Sequence, residues 1–186
     1  MAEVELPLES QKRLLDIARQ TLEHVVCCRQ PVYPRPKDSY LERAHYGAFV
    51  TLFNQGELRG CIGSCTPSEA LGDLVARMTE AAATRDRRMK SVRRAEVEQI
   101  CIDISVLSPL EHSQDPLSLE VGKHGLHIAC AHKRAVLLPR VATEYGWDMQ
   151  SFLEQTCLKA ELPIDAWCRS DAVVSSFTAL VIRESK

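Results

Sequence analysis

Gly47-Ala48-Phe49-Val50-Thr51-Leu52-Phe53, then Asn54-Gln55-Gly56, then Glu57-Leu58-Arg59-Gly60-Cys61-Ile62-Gly63-Ser64-Cys65 reads as a β-hairpin. The first run is rich in β-branched and aromatic side chains, which suit a pleated, half-buried surface. Asn54-Gln55-Gly56 is a turn in which Gly56 can supply a positive φ. The second run then returns as the partner strand.

Working outward, Thr66-Pro67-Ser68-Glu69 has the form of a helix start. Thr66 caps, Pro67 fits the first helical position and Glu69 completes a capping box. Leu71, Leu74, Val75 and Met78 give that helix its apolar stripe. Upstream, the spacing of Leu14, Leu15, Ile17, Ala18, Leu22, Val25 and Val26 predicts a helix from about Gln11 to Cys27, capped by Ser10. Gln30 to Lys37 holds Pro31, Pro34 and Pro36 and must be an extended loop.

Downstream, 84–94 is a charged, mostly basic link. Cys101 to Leu107 is a strand whose alternation sets Asp103 and Ser105 against Ile102, Ile104 and Val106. A second hairpin is expected over Gly125 to Leu138, turning at His132-Lys133-Arg134 and ended by Pro139. Met149 to Ala160 is a helix, and Val173 to Ile182 a closing strand. Hairpins joined by helices, without regular strand-helix-strand alternation, define an α+β fold with a mainly antiparallel sheet flanked by helices. Residues 1–186 are read as one domain, in which about 66–97 forms a smaller helical lobe.

The chain's 186 residues suffice for one sizeable core. A net charge of −2 and 5% aromatic residues argue against a nucleic-acid or anionic-membrane surface. No run approaches the ~20 apolar residues that span a bilayer. The acidic start Met1-Ala2-Glu3-Val4-Glu5 is not a secretory signal. The eight cysteines lie mostly within apolar runs, which reads as reduced thiols in the cytoplasm rather than a disulfide framework.

The chemistry centres on Leu58 to Gly63. On a strand, Arg59 and Cys61 share a face, and a guanidinium within reach of a thiol favours the thiolate. Gly60 and Gly63 weaken a strand. They therefore call for a close approach of backbone or ligand, or for a bulge that aims a side chain. The competing reading is a tightly packed strand under a helix, since cysteine is among the most buried residue types. His124 is the candidate proton carrier for a Cys–His pair.

Cys61-x-x-x-Cys65 departs from the spacing of metal and redox pairs. His124, His127, Cys130 and His132 do not converge on a strand, so no metal and no cofactor are expected. The five arginines and one lysine of 85–94 suit phosphate or an acidic partner. They suit better a solvated link in which Asp86 pairs with Arg88, since short basic runs are common on surfaces.

Phe49-Val50-Thr51-Leu52 followed by Gly56-Glu57-Leu58-Arg59-Gly60-Cys61-Ile62-Gly63 closely resembles the signature of AMMECR1-domain proteins. The likeness continues at Arg85-Asp86-x-Arg88, Ile104 to Pro109, Lys123-His124-Gly125-Leu126, Leu137-Leu138-Pro139-x-Val141, Gly146-Trp147-Asp148 and Phe152-Leu153. It spans roughly Gln11 to Glu184. The resemblance implies an antiparallel-sheet part, a smaller part and a cleft between them. It also implies Memo-like and radical SAM partners, with no defined reaction. Two positions depart from the pattern: Asp86-Arg87-Arg88-Met89 stands for Asp-Pro-Arg-Phe, and Arg140 for a frequent Gln or Glu.

The expected site thus has Cys61 as nucleophile or attachment point, Arg59 as its activator and His124 moving protons. Gly60, Gly63, Asp86, Arg88, Pro139 and Arg140 contact ligand. A non-catalytic binding module is the second reading, and a nucleic-acid-associated regulator the third.

Overall fold

The computed structural model describes residues 3–28, 37–43, 46–66 and 69–185. Most of the proline-rich loop expected over 30–37 lies outside them, as do Pro67 and Ser68 of the expected helix start. The chain divides into two compact units, one of 5–107 with 180–186 and one of 1–4 with 108–179. The stretch 66–97, expected to form a lobe of its own, lies wholly within the first.

In the first unit, β1 (Gly47–Asn54) and β2 (Glu57–Ser64) pair antiparallel, and β3 (Ile100–Leu107) pairs antiparallel with the other side of β1. With β8 (Ala179–Arg183) the sheet order is β2-β1-β3-β8, so β2 is an edge. Gln55 and Gly56 both take positive φ, 53° and 85°, which is the two-residue turn whose twist suits a hairpin. Ala48, Val50, Leu52, Ile102, Ile104 and Val106 are fully buried on one face. Helices α1 (Leu8–Glu23) and α3 (Leu71–Thr84) cover it with Leu14, Ile17, Leu22, Leu74 and Val75. A short helix α2 (Ser39–Arg43) packs beside α3. The predicted first helix ends early, with 24–28 widening into a π-helical turn.

In the second unit, β4 (Glu111–His112), β5 (Gly125–Cys130), β6 (Lys133–Leu137) and β7 (Ala172–Phe177) form an antiparallel sheet in the order β4-β7-β5-β6. Helices α4 (Pro139–Tyr145) and α5 (Met149–Lys159) cover its apolar face, where Leu126, Ile128, Val174, Phe152 and Cys157 meet. Asp148 caps α5 by accepting the Ser151 N–H at 2.8 Å.

The expected single strand from Val173 to Ile182 is two strands, in different sheets. They separate at Thr178, whose backbone is tied to Ser108: the Ser108 N–H donates to the Thr178 carbonyl and the Thr178 N–H to the Ser108 hydroxyl, each at 3.0 Å. A continuous β-branched run cannot show such a change of sheet, because each half alternates correctly by itself.

Candidate functional site

Cys61 sits in the middle of the edge strand β2. Its Cα partner on β1 is Thr51, and Thr51 in turn faces Asp103 on β3. The three form one row on the sheet face turned away from α1 and α3. Thr51 is buried, Cys61 and Asp103 half-buried. The Thr51 hydroxyl donates to the Cys61 sulfur at 3.3 Å, and Asp103 pairs with Arg183 at 3.5 Å.

Among the described residues the outer edge of β2 at Cys61 has no strand beside it. Its backbone groups are instead satisfied by the segment after α3. The Cys61 N–H donates to Asp86 Oδ2 at 2.9 Å, and Arg88 Nη2 donates to the Cys61 carbonyl at 3.1 Å. Arg88 also binds both Asp86 oxygens, through Nε at 3.0 Å and Nη2 at 2.7 Å. The Arg88 side-chain bonds come first in holding the Asp86 carboxyl well below the usual carboxylate range, with the Cys61 N–H adding to them against the cost of burial. Asp86 and Arg88 therefore do pair, and the pair clamps both sides of the Cys61 peptide as a neighbouring strand would.

Arg59 does not lie beside the thiol. Leu52 faces Gly60 while Phe53 faces Leu58, so Arg59 has no partner across the hairpin and marks a bulge. Its guanidinium binds Glu96 through Nε at 2.8 Å and the carbonyls of Lys90 and Ser91 at 2.6 and 3.0 Å. Those bonds lead in pulling the Glu96 carboxyl down to about 2. The strict alternation that set Arg59 and Cys61 on one face fails at this bulge, and Arg59 is committed to tying 90–96 to β2.

The two glycines have packing reasons. A Cβ on Gly60 would stand 2.3 Å from the Ala82 carbonyl of α3, so the helix backbone lies directly on the strand. A Cβ on Gly63 would stand 2.2 Å from the Phe49 ring, which covers it from the neighbouring strand. Gly125 repeats the device under Phe177 in the second sheet.

His124, Pro139 and Arg140 belong to the second unit. His124 Nδ1 accepts the Glu120 N–H at 2.9 Å in a tight turn, and burial, helped by Lys123, holds its pKa below the ordinary value. Pro139 opens α4 at its first position, and Arg140 approaches Glu144 one turn on at 3.9 Å. Of the expected site residues, the structure thus gathers Cys61, Asp86 and Arg88 at one place in the first unit. It adds Thr51, which sequence reading missed. An unbulged hairpin on the same turn would have set Val50 opposite Cys61, so only knowledge of the bulge would have found it.

Among the described residues, Cys27, Cys61, Cys101, Cys130, Cys157 and Cys168 are free thiols. Among the described residues no helix is long and apolar enough to cross a membrane.

An edge strand carrying a hydrogen-bonded thiol, inside a two-sheet α+β fold, defines the class. The sequence matches the AMMECR1 family over residues 15–182, and the chain belongs to that family. It is similar to a protein of Methanosarcina barkeri, 37% identical over 180 residues that cover 91% of this chain and 88% of that one. A protein of Methanothermobacter thermautotrophicus is 40% identical over 148 residues, covering 76% of this chain and 77% of its own. The crystal structure of an uncharacterized protein from Pyrococcus horikoshii matches with a TM-score of 0.88 and 33% identity, covering 95% and 92% of the two chains.

Proposed function

We propose that this protein is a thiol-dependent enzyme or enzyme component in which Cys61 is the nucleophile or covalent attachment point. The observation that carries the reading is the Thr51 hydroxyl, buried in the sheet and donating to the Cys61 sulfur at 3.3 Å. A donor fixed on sulfur stabilises its negative form, the form that attacks. Asp86 and Arg88 hold the Cys61 backbone on both sides, so the sulfur is presented from a rigid strand rather than a loop. In such an attack the sulfur bonds to an electrophilic carbon, the leaving group takes the electrons of the broken bond, and the thiol proton passes to solvent.

The cation that serves the thiol is Arg88, not Arg59. The family likeness supports Memo-like and radical SAM proteins as the partners, and the free cysteines suit a reducing, cytoplasmic setting. Alkylation of the native protein by iodoacetamide, mapped cysteine by cysteine, tests the reading. Cys61 is modified faster than the other cysteines, and Thr51→Val slows it. Equal rates in wild type and variant would refute the role given to Thr51.

A binding or scaffold module is the second reading, and the structural commitment of Arg59, Gly60 and Gly63 favours it. Co-purification of Memo-like and radical SAM proteins that survives Cys61→Ser, together with an unreactive Cys61, would select it.

A further inference from the structure

Arg88 is only partly used by the clamp. Its Nε and Nη2 bind Asp86 and the Cys61 carbonyl, while Nη1 has no hydrogen-bond partner among the described residues and the side chain is 59% exposed. Its guanidinium reaches the Cys61 carbonyl at 3.1 Å, which fixes a positive charge at the residue that carries the thiol. Arg87 and Lys90 flank it, both exposed and without an acidic partner among the described residues.

The acids nearby are already matched. Asp86 is held by Arg88 and the Cys61 N–H, Glu96 by Arg59 and Arg93, and Asp103 by Arg183. The segment that clamps Cys61 therefore keeps an unmatched positive charge at Arg87 and Lys90, although the chain as a whole carries −2.

Resting on the reading of Cys61 as a reactive thiol, we infer that its substrate is an anionic electrophile, a small molecule with a carboxylate or phosphate close to the carbon that sulfur attacks. Arg88 Nη1 binds the anion, and Arg87 and Lys90 raise its local concentration. A guanidinium locked on one side by a carboxylate keeps its remaining Nη1 donor aimed, which suits one oxygen of a carboxylate or phosphate.

The test compares iodoacetate with iodoacetamide, which deliver nearly the same alkyl group with and without a negative charge. In both, a sulfur–carbon bond forms, iodide leaves with the electrons of the carbon–iodine bond, and the thiol proton goes to buffer. The ratio of the two rates is measured at Cys61 in the native protein and for N-acetylcysteine. We expect the ratio at Cys61 to exceed the free-thiol ratio by about fivefold, the gain from one unit charge about 4 Å away in water. Raising the salt concentration and Arg88→Gln should each bring it back towards the free-thiol value. Arg87→Gln, outside the clamp, lowers it part way and covers the case in which Arg88→Gln loosens the fold.

Labelling of Cys61 by iodoacetamide with no preference for iodoacetate, or a preference indifferent to salt, overturns the anionic substrate and leaves the thiol reading standing. A Cys61 that neither reagent reaches overturns both.

Discussion

The Asp86 carboxylate accepts the backbone N–H of Cys61 at 2.9 Å, across 25 residues of sequence. A buried side chain from beyond α3 thereby does the work of a missing fifth strand. The same carboxylate fixes Arg88, which closes the other half of the bracket on the Cys61 carbonyl. Edge strands expose unpaired N–H and C=O groups that invite pairing with other chains. Here that edge is closed where the thiol sits, and the thiol is left on the sheet face.

Asp86→Ala should therefore cost about 2 kcal/mol of stability, the scale of leaving a partly buried donor unmatched, with the exposed side of Arg88 keeping the loss from growing larger. Urea unfolding at neutral pH measures it. Asp86→Asn, which retains an acceptor for the Cys61 N–H, should lose less.

Arg59→Ala should act on stability and not on thiol chemistry. Arg59 and Glu96 are both largely buried, with side chains 16% and 13% exposed, and removing Arg59 leaves Glu96 with its bonds to Arg93, at a cost of about 2 kcal/mol, the scale of losing hydrogen bonds to a charged group. A fall in the thermal midpoint with Cys61 alkylation kept is the expected pair of results. Loss of alkylation in a variant that stays folded would return Arg59 to the site.

The Glu96 carboxyl, lowered from 4.5 to about 2 in the folded protein, gives a pH dependence of definite sign. A carboxylate whose folded value is depressed adds stability that is complete above its unfolded value and is lost as pH falls towards the folded one. Stability should drop between about pH 4.5 and 2 more steeply in wild type than in Glu96→Gln. Denaturant midpoints taken at several pH values in that window check it, and parallel curves would count against the pairing.

Gly60→Ala and Gly63→Ala should both destabilise, by about 1–3 kcal/mol or more, the usual scale of overpacking. They differ in rescue. The Gly60 neighbour is the Ala82 backbone, which cannot be trimmed, whereas the Gly63 neighbour is the Phe49 ring. Phe49→Leu should recover part of the Gly63→Ala loss and none of the Gly60→Ala loss, as read by thermal melts of the double variants.

Much of the fold was legible because its signals are local. The β-branched run of β1, the Gln55-Gly56 turn and the alternation of β3 each act within a few residues, and the structure follows them. The bulge at Arg59, the change of sheet at Thr178 and the glycine contacts with Ala82 and Phe49 depend on what lies across the fold. No periodicity in one segment encodes them. The site divides in the same way. Cys61 stood out through its motif and Asp86-Arg88 through their charge, but the Thr51 hydroxyl was invisible without the register that the bulge sets.

The thiol reading is tested most directly by timed iodoacetamide labelling of the native protein near neutral pH, with each cysteine quantified by mass mapping. Cys61 should be modified first, ahead of the exposed Cys168, and Thr51→Val should slow Cys61 about fivefold, the worth of one hydrogen bond of about 1 kcal/mol. A Cys61 that stays unmodified until the protein is denatured would contradict it.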